Sequence, residues 1–112
     1  MKKEFAVDLI KNILTLLHEK RFADVTALVD ECTLNKDELV EFVQGTVKLN
    51  KCKCIDCFKE KNIAYVSRDD RKPYEIVYRL TAGGKEIPLV MRLEILFGED
   101  GSYVTGLDIE PN

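Results

Sequence analysis

The stretch YEIVYRLTAGGKEIPLVMRLEILF, residues 74–97, decides the fold, because apolar side chains recur at every second position on both sides of Gly83-Gly84. Such alternation is typical of strands that bury one face and expose the other. Two adjacent glycines tolerate the positive φ angles of a two-residue hairpin turn. A turn over residues 98–101 leads to a third strand over residues 103–109, and a short strand over residues 63–67 precedes a turn over residues 68–73. The sequence therefore predicts an antiparallel meander of three or four strands.

The N-terminal part of the chain predicts helices. In residues 5–17, apolar side chains recur at spacings of three, four and seven, which indicates one broad apolar stripe. A shorter helix is predicted over residues 22–29. A third helix is predicted to begin at Asn35, with Glu38 completing a capping box, and to end near Gly45.

The 112 residues predict one α+β domain, with helices over about residues 4–47 and a sheet over about residues 63–110. Helices followed by a meander indicate N-terminal helices packed on a curved antiparallel sheet, which would be cone-like.

Composition excludes several classes of function. A net charge of −3 argues against direct binding of nucleic acid or of an anionic membrane, since both need a basic surface. No apolar run approaches the roughly 18 residues of a membrane span, and Glu4, Asp8 and Lys11 interrupt what would be an export signal. Motifs for phosphate loops, nucleophilic serines and paired metal ions are absent from the sequence. We therefore expect a cytoplasmic protein without a cofactor.

Charge is unevenly distributed along the chain. Residues 24–41 contain six acids and only Lys36 as a base, residues 48–72 contain eight bases and four acids, and residues 93–112 contain five acids and no base. These blocks are either ordinary solvated faces or a partner-binding acidic face made from the last strand and the third helix. The candidates for such a face are Glu94, Glu99, Asp100, Asp108 and Glu110, with Asp37, Glu38 and Glu41 as a second group.

The four cysteines are Cys32, Cys52, Cys54 and Cys57. Free thiols in a basic connecting segment are the favoured interpretation in a reducing compartment. A structural zinc site usually needs two short ligand pairs, and only Cys54 and Cys57 form one. A redox pair is usually set in a strand–helix pattern that this segment lacks. A zinc-dependent or redox-responsive thiol protein remains an alternative.

The order of elements resembles the nuclear-transport-factor-type, or cystatin-like, α+β cone. The resemblance lies in a long first helix, a short second helix, a capped third helix and the closing hairpin RLEILFGEDGSYVTGLDIEP, residues 92–111, with its Gly-x-Asp-Ile-x element. That family includes polyketide cyclases, steroid isomerases, dehydratases, scaffold proteins and the immunity proteins of contact-dependent bacterial competition. For an enzyme, the resemblance implies a carboxylate base and a hydrogen-bonding acid in the cone mouth. Tyr74, Tyr78 and His18 are the candidate cavity groups, and no carboxylate joins them.

We therefore expect a non-enzymatic binding protein, specifically an immunity protein whose acidic face binds a cognate toxin domain. A basic nuclease would suit such a face, because nucleases must approach phosphates. A small-ligand binder or isomerase-like enzyme that uses the cone cavity is the alternative. An exposed last strand could also pair with a second copy and form a homodimer.

Overall fold

A computed structural model describes residues 2–65 and 73–112. Its helices are α1 (Lys2–His18), α2 (Phe22–Leu28), α3 (Lys36–Leu39) and α4 (Gly45–Leu49), and a π-helical turn, Val40–Gln44, joins α3 and α4 into one helical run. Its strands are β1 (Glu31–Cys32), β2 (Ile63–Tyr65), β3 (Tyr74–Ala82), β4 (Lys85–Phe97) and β5 (Tyr103–Pro111), and a short 3₁₀ turn, Glu60–Asn62, precedes β2. Residues 66–67 of the predicted short strand and most of the predicted turn after it lie outside the described residues.

The described strands form one sheet in the order β1-β5-β4-β3-β2. The predicted α+β class is confirmed, but the sheet has five strands where three or four were predicted. The additional strand, β1, pairs in parallel with β5, Glu31 with Gly106 and Cys32 with Leu107. Two residues are too few to show an alternating pattern, so β1 could not be identified by alternation. The last strand is therefore partly covered at its outer edge rather than fully exposed.

The helices cover one face of the sheet. The inward set of β4 that the alternation predicts, Ile87, Leu89, Met91, Leu93 and Ile95, is buried. These side chains belong to one apolar cluster with the stripe of α1, which comprises Ala6, Leu9, Ile10, Ile13, Leu14 and Leu17. Each fully buried leucine or isoleucine contributes about 1.5–3 kcal/mol, so this layer dominates stability. No helix in the described part of the chain is long and apolar enough to cross a membrane.

The third helix begins as predicted and ends later than predicted. The Asn35 side chain accepts a hydrogen bond from the Glu38 amide at 2.9 Å, and the Glu38 carboxylate accepts one from the Asn35 amide at 3.1 Å, which completes the capping box. The predicted end at Gly45 is wrong, because Gly45 has helical angles, φ −60° and ψ −46°, and the helical run continues to Leu49. The helix ends at Leu49, and Lys51, two residues later, has a φ of +60° that lets the Cys52 amide bond the Val47 carbonyl at 3.0 Å.

The hairpin of β3 and β4 turns at Gly83 and Gly84 as predicted, with φ values of +59° and +78°. The register of the hairpin shifts between Arg79 and Thr81. Between the pairs Arg79–Val90 and Thr81–Glu86, β4 has two more residues than β3. Pro88 lies in that extra segment, and a proline has no amide to donate to a neighbouring strand. The shift moves every later pair along the hairpin and so determines which charged side chains face one another.

Candidate functional site

Five carboxylates of the described strands lie close together on the sheet face opposite the helices, and we call this region the acidic sheet face. They are Glu31 of β1, Glu75 of β3, Glu94 of β4, and Asp108 and Glu110 of β5. The sheet register brings them together, because Glu94 is the cross-strand neighbour of Glu75 on one side and of Gly106 on the other. Glu31 of β1 lies beside Gly106 on the side away from Glu94, so it belongs to the same group. All five side chains are exposed or half-buried.

Arg92 lies within this face and neutralises part of it. Its guanidinium donates hydrogen bonds to Glu75 and, at 3.2 Å, to Glu110. The hydrogen bond to Glu75, followed by that to Glu110, raises the pKa of Arg92. Among the described residues, no lysine or arginine forms an ion pair with Glu31, Glu94 or Asp108. The face therefore keeps a net negative charge at neutral pH.

A groove of about 420 Å³ runs over Gly106 between the side chains of the acidic sheet face. Glu31, Arg92, Glu94 and Asp108 line it. A Cβ atom at Gly106 would meet no other atom within 4 Å, so the missing side chain leaves the groove open. The Thr33 hydroxyl donates a 2.6 Å hydrogen bond to Asp108 and fixes that carboxylate at the groove wall.

Two apolar side chains extend the acidic sheet face toward the β4–β5 turn. Leu96 and Val104 are cross-strand partners, and they are 53% and 48% exposed. An exposed apolar pair beside unpaired charges is typical of a surface that a partner covers. The sequence alone does not distinguish these two residues, since isolated exposed apolar residues are common.

Asp30 fixes the β1 edge of the acidic sheet face. Its carboxylate accepts hydrogen bonds from the Thr105 amide at 2.7 Å and from the Thr105 hydroxyl at 3.0 Å. The Thr105 hydroxyl in turn accepts a hydrogen bond from the Asp30 amide at 3.0 Å. The bond from the Thr105 amide, followed by that from its hydroxyl, lowers the pKa of Asp30. This pair of residues attaches β1 to β5 and so positions Glu31.

The structure divides the predicted acidic contact residues into three places. Glu94, Asp108 and Glu110 share the acidic sheet face. Glu99 and Asp100 lie in the β4–β5 turn, roughly 20 Å along β5 from Asp108 at the usual rise per residue. Asp100 accepts hydrogen bonds from the Ser102 hydroxyl and amide, and these bonds lower the pKa of Asp100. Its carboxylate therefore stabilises the turn.

The second predicted group lies on the helical run. Glu38 and Glu41 line a groove between this run and the end of β5, and Asp37 is exposed in the first turn of α3. Glu110 lines the same groove, so it connects the helical group with the acidic sheet face. The contact residues predicted from the sequence do not include Glu31 or Glu75, nor Arg92, which pairs with Glu75 and Glu110.

Tyr74, Tyr78 and His18 have separate surroundings. The buried Tyr78 hydroxyl accepts a 2.9 Å hydrogen bond from the Lys59 amide, and its ring stacks on Phe58. Tyr74 lies four residues away on the same strand, about 13 Å along it. The His18 Nδ1 atom lies 2.8 Å from the Ile55 carbonyl oxygen, which can only accept, so His18 donates there. Tyr78 and His18 thus each have a structural partner of their own.

The cysteine segment is attached to the end of the β3–β4 hairpin. Asp56 accepts hydrogen bonds from the Gly83 and Gly84 amides at 3.0 and 2.9 Å. Burial raises the pKa of the Asp56 carboxyl, but the Gly84 amide and the Lys59 ammonium outweigh burial, and the pKa lies below its usual value. Cys52 donates to the Ala82 carbonyl at 3.3 Å.

The four thiols of Cys32, Cys52, Cys54 and Cys57 are free, and Cys32 lies apart from the others on β1. Burial raises the pKa of the Cys32 thiol, which disfavours a reactive thiolate there. Cys54 lies 3.5 Å from the His18 Nδ1 atom. Within residues 2–65 and 73–112, no group of three or more histidine, cysteine, aspartate or glutamate side chains is arranged to hold a metal ion.

Comparisons with protein-family models, with curated proteins and with solved structures found no match for this chain. The resemblance to the cone family therefore stays a prediction. What the protein does must be inferred from its own surfaces.

Proposed function

We propose that this protein is a non-catalytic binding protein of the cone type, an immunity protein that neutralises a cognate toxin domain in the cytoplasm by direct contact through the acidic sheet face. The observation that carries the proposal is the sheet face opposite the helices, where Glu31, Glu94 and Asp108 surround an open groove and form no ion pair with any described residue. A basic partner would supply the missing positive charges, and a nuclease domain is a partner of that kind.

The neighbouring apolar pair supports the same surface. Leu96 and Val104 offer area that loses water on contact, while the carboxylates around them orient the partner. The rigid β4–β5 ladder holds both sets in a fixed arrangement, so little ordering would be needed on binding.

The experiment is a rescue assay with the product of the adjacent upstream gene expressed as the toxin. Wild-type protein should restore growth and co-purify with the toxin in stoichiometric amounts. A variant with Glu94→Lys and Asp108→Lys should fail to rescue, because it brings positive charge to the positive partner. A control with Glu19→Lys and Glu60→Lys makes the same change of net charge at exposed sites elsewhere and should rescue.

Circular dichroism of both variants separates loss of binding from loss of folding. If the folded Glu94→Lys and Asp108→Lys variant rescues as well as wild type, the acidic sheet face is not the contact surface. If neither toxicity nor a complex is found with the wild-type protein, the immunity function itself is wrong.

A further inference from the structure

The groove between the helical run and the end of β5, which we call the edge groove, has an apolar floor and an acidic rim. It has a volume of about 660 Å³. Leu34, Phe42 and Leu49 line it, and Leu49 is 84% exposed. Glu38, Glu41 and Glu110 provide its charges, and none of the described lysines or arginines lines it.

One side of the edge groove is an open strand edge. The Thr105 amide and the Leu107 carbonyl point toward β1, where they bond Asp30 and the Thr33 amide at 2.7 and 3.0 Å. Alternate residues of a strand direct their backbone groups to the same side, so the amide and carbonyl of Ile109 also point this way. β1 ends before reaching them, and neither group has a hydrogen-bond partner within the described residues.

We propose that the edge groove binds an extended peptide segment of a partner protein, with alternating apolar and basic residues, which adds to β5 in line with β1. The Ile109 backbone would supply the strand pairing, as in other cases where a peptide extends a sheet. Apolar side chains of the segment would cover Phe42 and Leu49, and basic side chains would face the three glutamates. The inference does not depend on the partner being a toxin.

Proline at the end of the open edge favours a specific segment over indiscriminate pairing. Pro111 has no amide, so the strand can offer only a short run of backbone groups. Three carboxylates around this short edge disfavour acidic segments, including the acidic β5 of a second copy. Charge complementarity thus selects a basic partner.

The test uses the full chain labelled with ¹⁵N and an eight-residue blocked peptide of alternating valine and lysine. Amide exchange at Ile109 should slow about tenfold in the peptide's presence, with chemical shift changes around the edge groove. The same peptide N-methylated at alternate residues keeps its charge and should lose binding. A valine and glutamate peptide should not bind.

Variants at Gly45 test the groove itself. Gly45 has helical angles and open space beside it, so larger residues fit there without backbone strain. Gly45→Phe fills the groove and should weaken peptide binding by about tenfold or more, whereas Gly45→Ala should bind like wild type.

Three outcomes would overturn the inference. Equal binding of the N-methylated peptide would show charge attraction without strand addition, and unchanged binding by Gly45→Phe would place the peptide elsewhere. Protection of Ile109 that grows with protein concentration in the absence of peptide would assign the groove to a second copy of the chain.

Discussion

At the scale of single residues, two lysines occupy a backbone conformation that suits glycine. Lys20 and Lys51 follow the ends of α1 and α4 with φ values of +61° and +60°. Both sites close the same motif, since the Arg21 amide bonds the Leu16 carbonyl at 2.8 Å and the Cys52 amide bonds that of Val47. A side chain is disfavoured in this region because its Cβ approaches the carbonyl oxygen.

Lys20→Gly and Lys51→Gly should therefore each stabilise the protein by about 0.5–1 kcal/mol, the strain relief being partly offset by the greater freedom of glycine in the unfolded chain. Thermal or urea unfolding measures the change. Lys48→Gly is the matched control, because that residue is helical and the substitution should destabilise by about 1 kcal/mol. Destabilisation at all three sites would contradict the prediction.

Asp56 stabilises the hairpin turn through its charged form. Its lowered pKa means that the stabilisation is complete above the unfolded pKa of about 3.9 and is lost as pH falls through the folded pKa. Asp56→Asn should cost about 1–2 kcal/mol at pH 7, because the Gly83 and Gly84 amides lose a charged acceptor. Urea unfolding should show the difference from wild type shrinking below about pH 4.

Asp24→Asn provides the comparison for that experiment. Asp24 pairs with Arg21 at an exposed site, so its loss should change stability by less than about 0.5 kcal/mol. A pH-independent effect of Asp56→Asn would mean that its shape matters and its charge does not.

At the scale of elements, β1 depends on a side-chain attachment, since two residues provide little pairing of their own. Thr105→Val keeps the size of the buried side chain and removes the hydroxyl that bonds Asp30 twice. We expect a cost of about 1 kcal/mol, expressed as local opening of β1. Hydrogen exchange of the Thr33 amide, bonded to Leu107, should speed up about fivefold.

Thr15→Val is the control for this change. The exposed Thr15 hydroxyl donates a hydrogen bond to the Lys11 carbonyl within α1. The control should leave exchange at Thr33 unchanged. Equal exchange in both variants would mean that the backbone pairing alone holds β1.

The long elements could be predicted from the sequence because apolar residues recur at a regular spacing many times along each of them. Apolar alternation across β3 and β4 identifies both strands and their buried face, and the Asn35 cap identifies the start of α3. β1 has no repeat to detect. The predicted helix end at Gly45 is wrong because the sequence does not distinguish a glycine within a helix from a glycine that ends one. Burial of Val47 in the core favours continuing the helix past Gly45.

The acidic sheet face could be predicted only in part. Alternation places Glu94, Asp108 and Glu110 on one face, because it needs no knowledge of strand neighbours. Alternation places Glu75 and Arg92 on this face as well, but it does not show which residues of neighbouring strands lie side by side. The register sets Glu75 opposite Glu94, with Arg92 in the diagonal position where it pairs with Glu75.

At the scale of the whole molecule, the strand order separates charges that the sequence intermixes. The acidic blocks of residues 24–41 and 93–112 contribute β1 and β5, which are neighbours at one edge. The basic segment leads into β2 at the other edge, where Lys59, Lys61 and Arg79 surround a smaller pocket. Lys59 and Arg79 pair with Asp56 and Glu86, so this edge is close to neutral, whereas negative charge is concentrated at the β5 edge and the net charge of −3 understates the local field there.

This asymmetry can be measured without a partner on a strong anion-exchange column. A molecule with one acidic edge binds the resin through that edge, so retention follows the local charge more than the net charge. The variant with Glu94→Lys and Asp108→Lys should elute at clearly lower salt than the control with Glu19→Lys and Glu60→Lys, although both have the same net charge. Salt screens charges beyond a Debye length of about 10 Å at 0.1 M. The difference in retention between the two variants should therefore narrow as the ionic strength of the loading buffer rises. Identical elution of the two variants would mean that the acids act as dispersed surface charges. The acidic sheet face would then not attract a basic partner more strongly than the rest of the surface.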